Sequence, residues 1–259
     1  MHAITRVKSA VTAAAAAAVL VGGLVLPGAA LPASAAPAAK MPSGTSANWS
    51  GHITVPEPGK ASKLSYTTAT WKVPRDKAHI GVADAKFWAG LGGLNGQTLM
   101  QAGVTTDEVW IPGVGDSSPH QVSYIWWETY GIGLGQVHPV ALVSPDDTIT
   151  ASVAYNGGKN YTMKVTVNGS VRINVTEPAA QAGYPGSAEV IVESPLPASA
   201  VSLADFGTVT FSNVAYRWDS GGKVYGTAIL VAQSAHGKPE TAVSGATGTW
   251  TVKFLRSRS

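Results

Sequence analysis

Three short runs of this chain combine side chains able to move protons with rings able to hold a ligand. Strand alternation sorts them by face. Gln121–Tyr130 puts Tyr124, Trp126, Glu128 and Tyr130 on one face and Ser123, Ile125, Trp127 and Thr129 on the other. Ala188–Glu193 sets Glu189, Ile191 and Glu193 against a clean apolar face of Ala188, Val190 and Val192. Thr98–Thr105 turns Met100, Ala102 and Val104 one way and Leu99, Gln101 and Gly103 the other. Each run thus has an apolar face and a second face bearing carboxylates, an amide or aromatics. That second face suits a groove for an extended ligand, and it fits an ordinary solvated sheet face as well. A carboxylate can take a proton from water and return it to a leaving group. A primary amide can hold that water through its oxygen and donate N–H to a developing oxyanion. The rings would also stack on sugars in a lectin-like binding module. Cleavage of a glycosidic bond needs two carboxylates about 5–9 Å apart. Glu189 and Glu193 are too far apart for that, about 13 Å along their strand, although Glu128 could serve as a partner. Gln101 discriminates, because peptide hydrolysis gives it a task and the sugar readings do not.

Other chemistries find less support. The chain has no Cys, which excludes disulfides, thiolate metal sites, iron–sulfur clusters and a Cys nucleophile. Its six His (His2, His52, His79, His120, His138, His236) are scattered without the paired spacing of a zinc peptidase, so no metal is expected. Asp219-Ser220-Gly221-Gly222 follows Trp218 and reads as a polar hairpin turn, not a serine nucleophile loop. Gly131-x-Gly133-x-Gly135 has no helix after it to hold a phosphate, and reads as a flexible loop. The formal net charge of +3 is spread thinly, which argues against a nucleic-acid partner.

Such a face must be carried by a scaffold, and the rest of the chain predicts one made of strands. Arg6 and Lys8, the apolar run Ala10–Leu26 and the small-x-small site Ala33-Ser34-Ala35 make residues 1–35 a secretory signal peptide pattern. Residues 36–47 are Ala/Pro/Ser-rich and read as a linker or short pro-segment. Residues 48–259 read as one domain, 45% of the whole chain being hydrophobic and 13% charged. Further strands are expected at Thr67–Val73, Ala85–Leu91, Thr148–Ala154, Asn160–Val167, Ser170–Val175, Thr208–Trp218, Val224–Ala232 and Thr249–Leu255. Turn signals separate them, among them Asn156-Gly157-Gly158 and Asn168-Gly169. No sustained 3.6-residue period appears, so the expected fold is an all-β, antiparallel two-sheet sandwich.

Eight fragments in one order carry a resemblance. They are Asn48-Trp49-Ser50-Gly51, Ala69-Thr70-Trp71-Lys72-Val73-Pro74, Phe87-Trp88-Ala89-Gly90-Leu91-Gly92-Gly93 and Leu99-Met100-Gln101-Ala102-Gly103-Val104. Then come Trp126-Trp127-Glu128, Pro145-Asp146-Asp147-Thr148-Ile149, Ser187 to Glu193 and Leu203 to Phe211. The series resembles the glutamic peptidases, the eqolisin family, as a secreted bacterial-type member. The resemblance implies a concanavalin-like jelly-roll sandwich and an endopeptidase acting on polypeptides in acid, without cofactor or covalent intermediate. It implies Gln101 and Glu189 as the catalytic pair, with Trp88, Tyr124, Trp126, Glu128, Tyr130 and Glu193 along the substrate groove. An extracellular monomer without stable membrane association is expected, and a non-catalytic lectin-like module using the same groove is the alternative. Val190 stands where the family usually has Trp, and Gly92, Thr105 and Tyr124 stand where fungal members are acidic. With Glu128 and Glu193 as the remaining nearby acids, a weakly acidic working pH is expected.

Overall fold

The computed structural model describes residues 43–57, 63–77, 83–94, 98–109, 120–131, 133–194, 201–219, 226–235, 238–246 and 248–256. The expected signal segment lies outside them, as does the Asp219–Gly222 turn beyond Asp219. The described chain folds into strands: β1 (Ser43–Ser46), β2 (Trp49–Pro56), β3 (Leu64–Lys72), β4 (Ala83–Gly92), β5 (Leu99–Val109), β6 (His120–Gly131), β7 (Gly133–Val143), β8 (Thr148–Gly157) and β9 (Asn160–Val167). They continue as β10 (Ser170–Pro178), β11 (Ala188–Glu193), β12 (Ser202–Leu203), β13 (Thr208–Trp218), β14 (Gly226–Ala235), β15 (Lys238–Pro239), β16 (Thr241–Ala246) and β17 (Thr249–Phe254). One sheet runs β1-β14-β2-β11-β4-β5-β6-β7, with β12 beside β4 and β15 beside β14; the other runs β10-β9-β8-β3-β13-β17-β16. Pairing is antiparallel except where β1 meets β14 and β12 meets β4. The fold is the all-β two-sheet sandwich that the sequence predicts.

Alternation places the core. Phe87, Met100, Val104, Ile125 and Val190 from the first sheet meet Trp71, Val165 and Phe211 from the second, all buried. Each such side chain removed from water contributes about 1.5–3 kcal/mol. His52 also lies between the sheets. Its Nδ1 is 2.5 Å from the Tyr216 hydroxyl, and its ring stacks on Trp250 at 4.3 Å. Asn168 and Gly169, at φ 51° and 81°, close the β9–β10 hairpin as the Asn-Gly signal requires.

The first sheet departs from the expected division into an apolar and a wet face. Its other side carries a second apolar cluster that includes Trp49, Ile53, Trp88, Leu99, Trp126 and Ile191. Strand β11 is consequently buried at every position.

Several strands went unread in the sequence. Ser43–Ser46 pairs with β14, so the folded part reaches into the stretch expected to be linker. In β2, Ser50, Gly51, His52 and Thr54 break up the apolar residues. The glycine stretch after Tyr130 is not a loop. Gly131 pairs with Gly133, and β7 continues as the sheet's edge strand through Pro139. An edge tolerates a residue that cannot donate to the ladder. In β16, Thr241–Ala246, short and small residues hide the strand period.

Candidate functional site

The register of the first sheet assembles one row of residues across it. Gly90 on β4 is the partner of Gln101 on β5 and, on its other side, of Glu189 on β11. Gln101 is in turn opposite Glu128 on β6, Glu128 opposite Val137 on β7, and Glu189 opposite Ile53 on β2. Partners across a ladder point to the same face, so Glu128, Gln101 and Glu189 all project from one side. Neighbouring strands lie about 4.8 Å apart, which sets the Gln101 and Glu189 backbones about 10 Å from each other. Gly90 adds no side chain of its own between them, and the Trp88 ring and Leu99 lie over it. A Cβ there would come within 2.8 Å of the Trp88 ring. Gly103, two residues along in the same β4–β5 ladder, is equally enforced: its Cβ would lie 2.0 Å from the Phe87 carbonyl oxygen.

Glu189 is fully buried, and its carboxyl oxygens make no hydrogen bond of good geometry among the described residues, Ser187 being the side chain near enough to bear on them. Burial pushes its pKa well above the ordinary carboxylate value, with Ser187 nearby as a weak counterweight. A buried polar group left unpaired costs about 1–3 kcal/mol, and more when charged. Such a cost in the best-covered strand makes Glu189 a candidate for chemistry. Gln101 is also buried. Its Nε2 donates to Glu128 Oε2 at 2.7 Å, while its Oε1 has no partner among the described residues. A carboxylate with a raised pKa set across Gly90 from an amide with one free oxygen and one free N–H offers the groups needed to activate and hold a water.

The other expected groove residues divide by role. Glu193 accepts from Asn48 Nδ2 at 3.0 Å through Oε1 and from Trp88 Nε1 at 2.9 Å through Oε2, so both its oxygens are engaged by the fold. Trp88 packs edge-on against Trp49 at 5.2 Å. Trp88 and Trp126 are both fully buried and form the floor of this face. Tyr124 and Tyr130 are half-buried and pack against that floor.

Three residues that sequence reasoning missed share the face. Lys86 on β4 is opposite Thr105 on one side and Glu193 on the other, and Asp84 is opposite Asp107. Burial disfavours the Lys86 charge, but Asp84, Glu193, Glu128 and Asp107 together hold its pKa above the usual lysine value. Burial raises Asp84 well above its normal range, and Asp107 adds to this. Asp107 is pushed up to about 6 by burial, against the pull of Lys86 and the Tyr124 hydroxyl. Burial likewise raises Glu128 and Glu193, with Lys86 opposing both. The expectation that only Glu128 and Glu193 accompany the pair is therefore corrected. Asp84 and Asp107 were missed because the expected strands stopped at Ala85 and Thr105, one or two residues short. Lys86 was legible as sharing the parity of Trp88.

A sequence model described as the Peptidase A4 family matches residues 47–254. No curated protein sequence matches the chain. Among solved structures, Scytalido-glutamic peptidase with a peptide-based transition-state analogue matches at a TM-score of 0.60 and 17% identity, over 81% of this chain and 98% of that one. SCP-B, a member of the eqolisin family in complex with the tripeptide Ala-Ile-His, matches at 0.56 and 16% over 81% and 98%. At such identities the structural likeness speaks for the fold.

Proposed function

Because the chain belongs to the Peptidase A4 family of glutamic peptidases, we propose that it is a secreted endopeptidase of weakly acidic surroundings whose working pair is Glu189 and Gln101. One observation carries the assignment to these two residues. They flank Gly90 from both sides and project from one face, Gly90 itself adding no side chain between them. The Glu189 carboxylate takes a proton from a water seated in that gap, and the water oxygen attacks the carbonyl carbon of a peptide bond. Gln101 Oε1 orients the water. The Nε2 hydrogen not given to Glu128 meets the developing oxyanion. Glu189 then returns the proton to the amine as the C–N bond breaks, and no covalent intermediate forms. Burial raises the Glu189 pKa, so the carboxylate form needed at the start is favoured as the pH rises.

The test is digestion of denatured casein by the secreted protein across pH 2–7, beside Glu189→Gln. The expected result is fragments from the wild type and a loss of about 10²–10⁴-fold in the variant, which stays folded. Wild-type turnover in a correctly folded Glu189→Gln protein would refute the pair.

A further inference from the structure

Large apolar side chains left in water are unevenly placed on this molecule. Among the described residues they are Val140, Leu142, Val171, Tyr184 and Leu255. The last three stand singly, as surface apolar residues ordinarily do. The first two share strand β7, with Leu142 69% exposed and Val140 48%. Ala141 and Val143 pack against the core between the sheets, so Leu142 points to the opposite side, that of Gln101 and Glu128. Its register partner is Tyr124, which shares a face with Trp126 and Glu128. Val140 is the extra residue of a bulge, between Ala141 opposite Ile125 and Pro139 opposite Trp126. The open side of the groove face thus ends in an apolar bank.

The register gives the distance from the pair to this bank. Gln101 is opposite Glu128, Tyr124 stands four residues from Glu128 on β6, and Leu142 is opposite Tyr124. Two strand spacings across and four residues along set the Leu142 α-carbon about 17 Å from that of Gln101. An extended chain covers this in about five residues. The fully buried Trp126 lies midway along β6 and floors the path. A second copy of the chain suits the bank less well. β7 is an edge strand, but Pro139 lacks a donor and the bulge at Val140 twists the edge away, and both features blunt strand addition.

We propose that Leu142 and Val140, beside Tyr124, form an outlying subsite that takes an apolar side chain of the polypeptide substrate about five residues from the bond being cut. This rests on the Glu189–Gln101 reading, which supplies the point from which the distance is counted. So far from the reacting atoms, the contact is the same before and during bond cleavage. The subsite therefore lowers KM and leaves kcat alone.

The experiment starts from a casein peptide that the wild type cuts at one bond. Synthetic versions carry Leu or Asn at the fourth, fifth or sixth residue on either side of that bond, one position at a time. Steady-state kinetics are compared for wild type and Leu142→Asn, each shown to be folded by near-UV circular dichroism. In the wild type one of these positions should favour Leu over Asn by about five- to tenfold in kcat/KM, expressed in KM. Leu142→Asn should cut both versions alike, with the wild-type KM for the Asn version. The inference is overturned if the wild type shows no preference at these positions, if the preference survives in Leu142→Asn, or if kcat falls in place of a rise in KM. It is overturned also if the wild type self-associates in sedimentation, Leu142→Asn does not, and the wild type cuts both versions alike, which gives the bank to a second copy. Should Leu142→Asn not fold, Leu142→Thr takes its place under the same criteria. A fully active Glu189→Gln protein would instead remove the underlying pair, whereas an inactive one with an unaltered preference in Leu142→Asn removes only this inference.

Discussion

His52 gives the sandwich a built-in penalty in acid whose size follows from its surroundings. It is 3% exposed, stacked on Trp250 and bonded to the Tyr216 hydroxyl, and burial lowers its pKa from 6.5 to about 4. The fold therefore holds it neutral, while the unfolded chain takes up a proton below pH 6.5. Its contribution to stability is complete above pH 6.5 and is lost as the pH falls toward 4, by about 3 kcal/mol in all. The raised carboxyl groups act in the opposite sense. Glu189, Asp84, Glu128, Glu193 and Asp107 favour the protonated form in the fold, so they stabilise in acid and lose that effect as pH rises. Wild-type stability alone mixes the two, so the measurement is a difference. His52→Gln keeps a hydrogen-bonding group for Tyr216 and removes the titration. Urea unfolding of both proteins at pH 7, 6, 5 and 4 should show the wild type losing about 3 kcal/mol relative to the variant across that range, or about 6–12 °C in Tm. A difference that stays constant with pH would refute the buried neutral imidazole.

Gln101→Ala should lower kcat by about 10²–10³-fold and leave KM nearly unchanged, because its contact to the oxyanion forms in the transition state; steady-state kinetics on one peptide checks this, and a rise in KM alone would make Gln101 a binding residue. Gly90→Ala should reduce activity more than stability, since the added methyl enters the gap between the pair and meets the Trp88 ring; paired assays of turnover and urea midpoint decide it, and an unaltered kcat would show that the gap is not where the water sits. Pepstatin, EDTA and a fluorophosphonate added together should leave digestion of casein intact, and loss of activity with the chelator would point to a metal step.

How far the site could be read in advance follows from the strand period. Parity along Ala188–Glu193 and Thr98–Thr105 separates Glu189 and Gln101 from the core positions, because a period of two leaves only two faces to choose from. The structure keeps that division on both strands. Parity says nothing of which strands become neighbours. The order that sets β11 beside β4 comes from long-range packing, so Gly90 as the shared partner of both residues was not legible. Parity also fails to tell a wet face from one covered by a second apolar cluster, which is why Glu189 proves fully buried. The bond from Trp88 to Glu193 and the grouping of Asp84, Lys86 and Asp107 arise from the same register, and no spacing within a single strand encodes them.

The position of β11 has a consequence for the order in which the molecule is put together. Strands β4 to β7 succeed one another in the chain and pair with their sequence neighbours, so they can zip from local contacts. Strand β11 enters between β2 and β4 only after β8, β9 and β10 have been laid into the opposite sheet's share of the chain. Until it inserts, the first sheet is two fragments, β1-β14-β2 on one side and the β4–β7 meander on the other. Glu189, the proposed base, thus arrives on the strand that joins the fragments. A partly folded chain can hold Gln101 beside Glu128 yet possess no complete pair, so on refolding the capacity to cut should appear with the final closure of the sheet, after most of the strand signal in circular dichroism has returned.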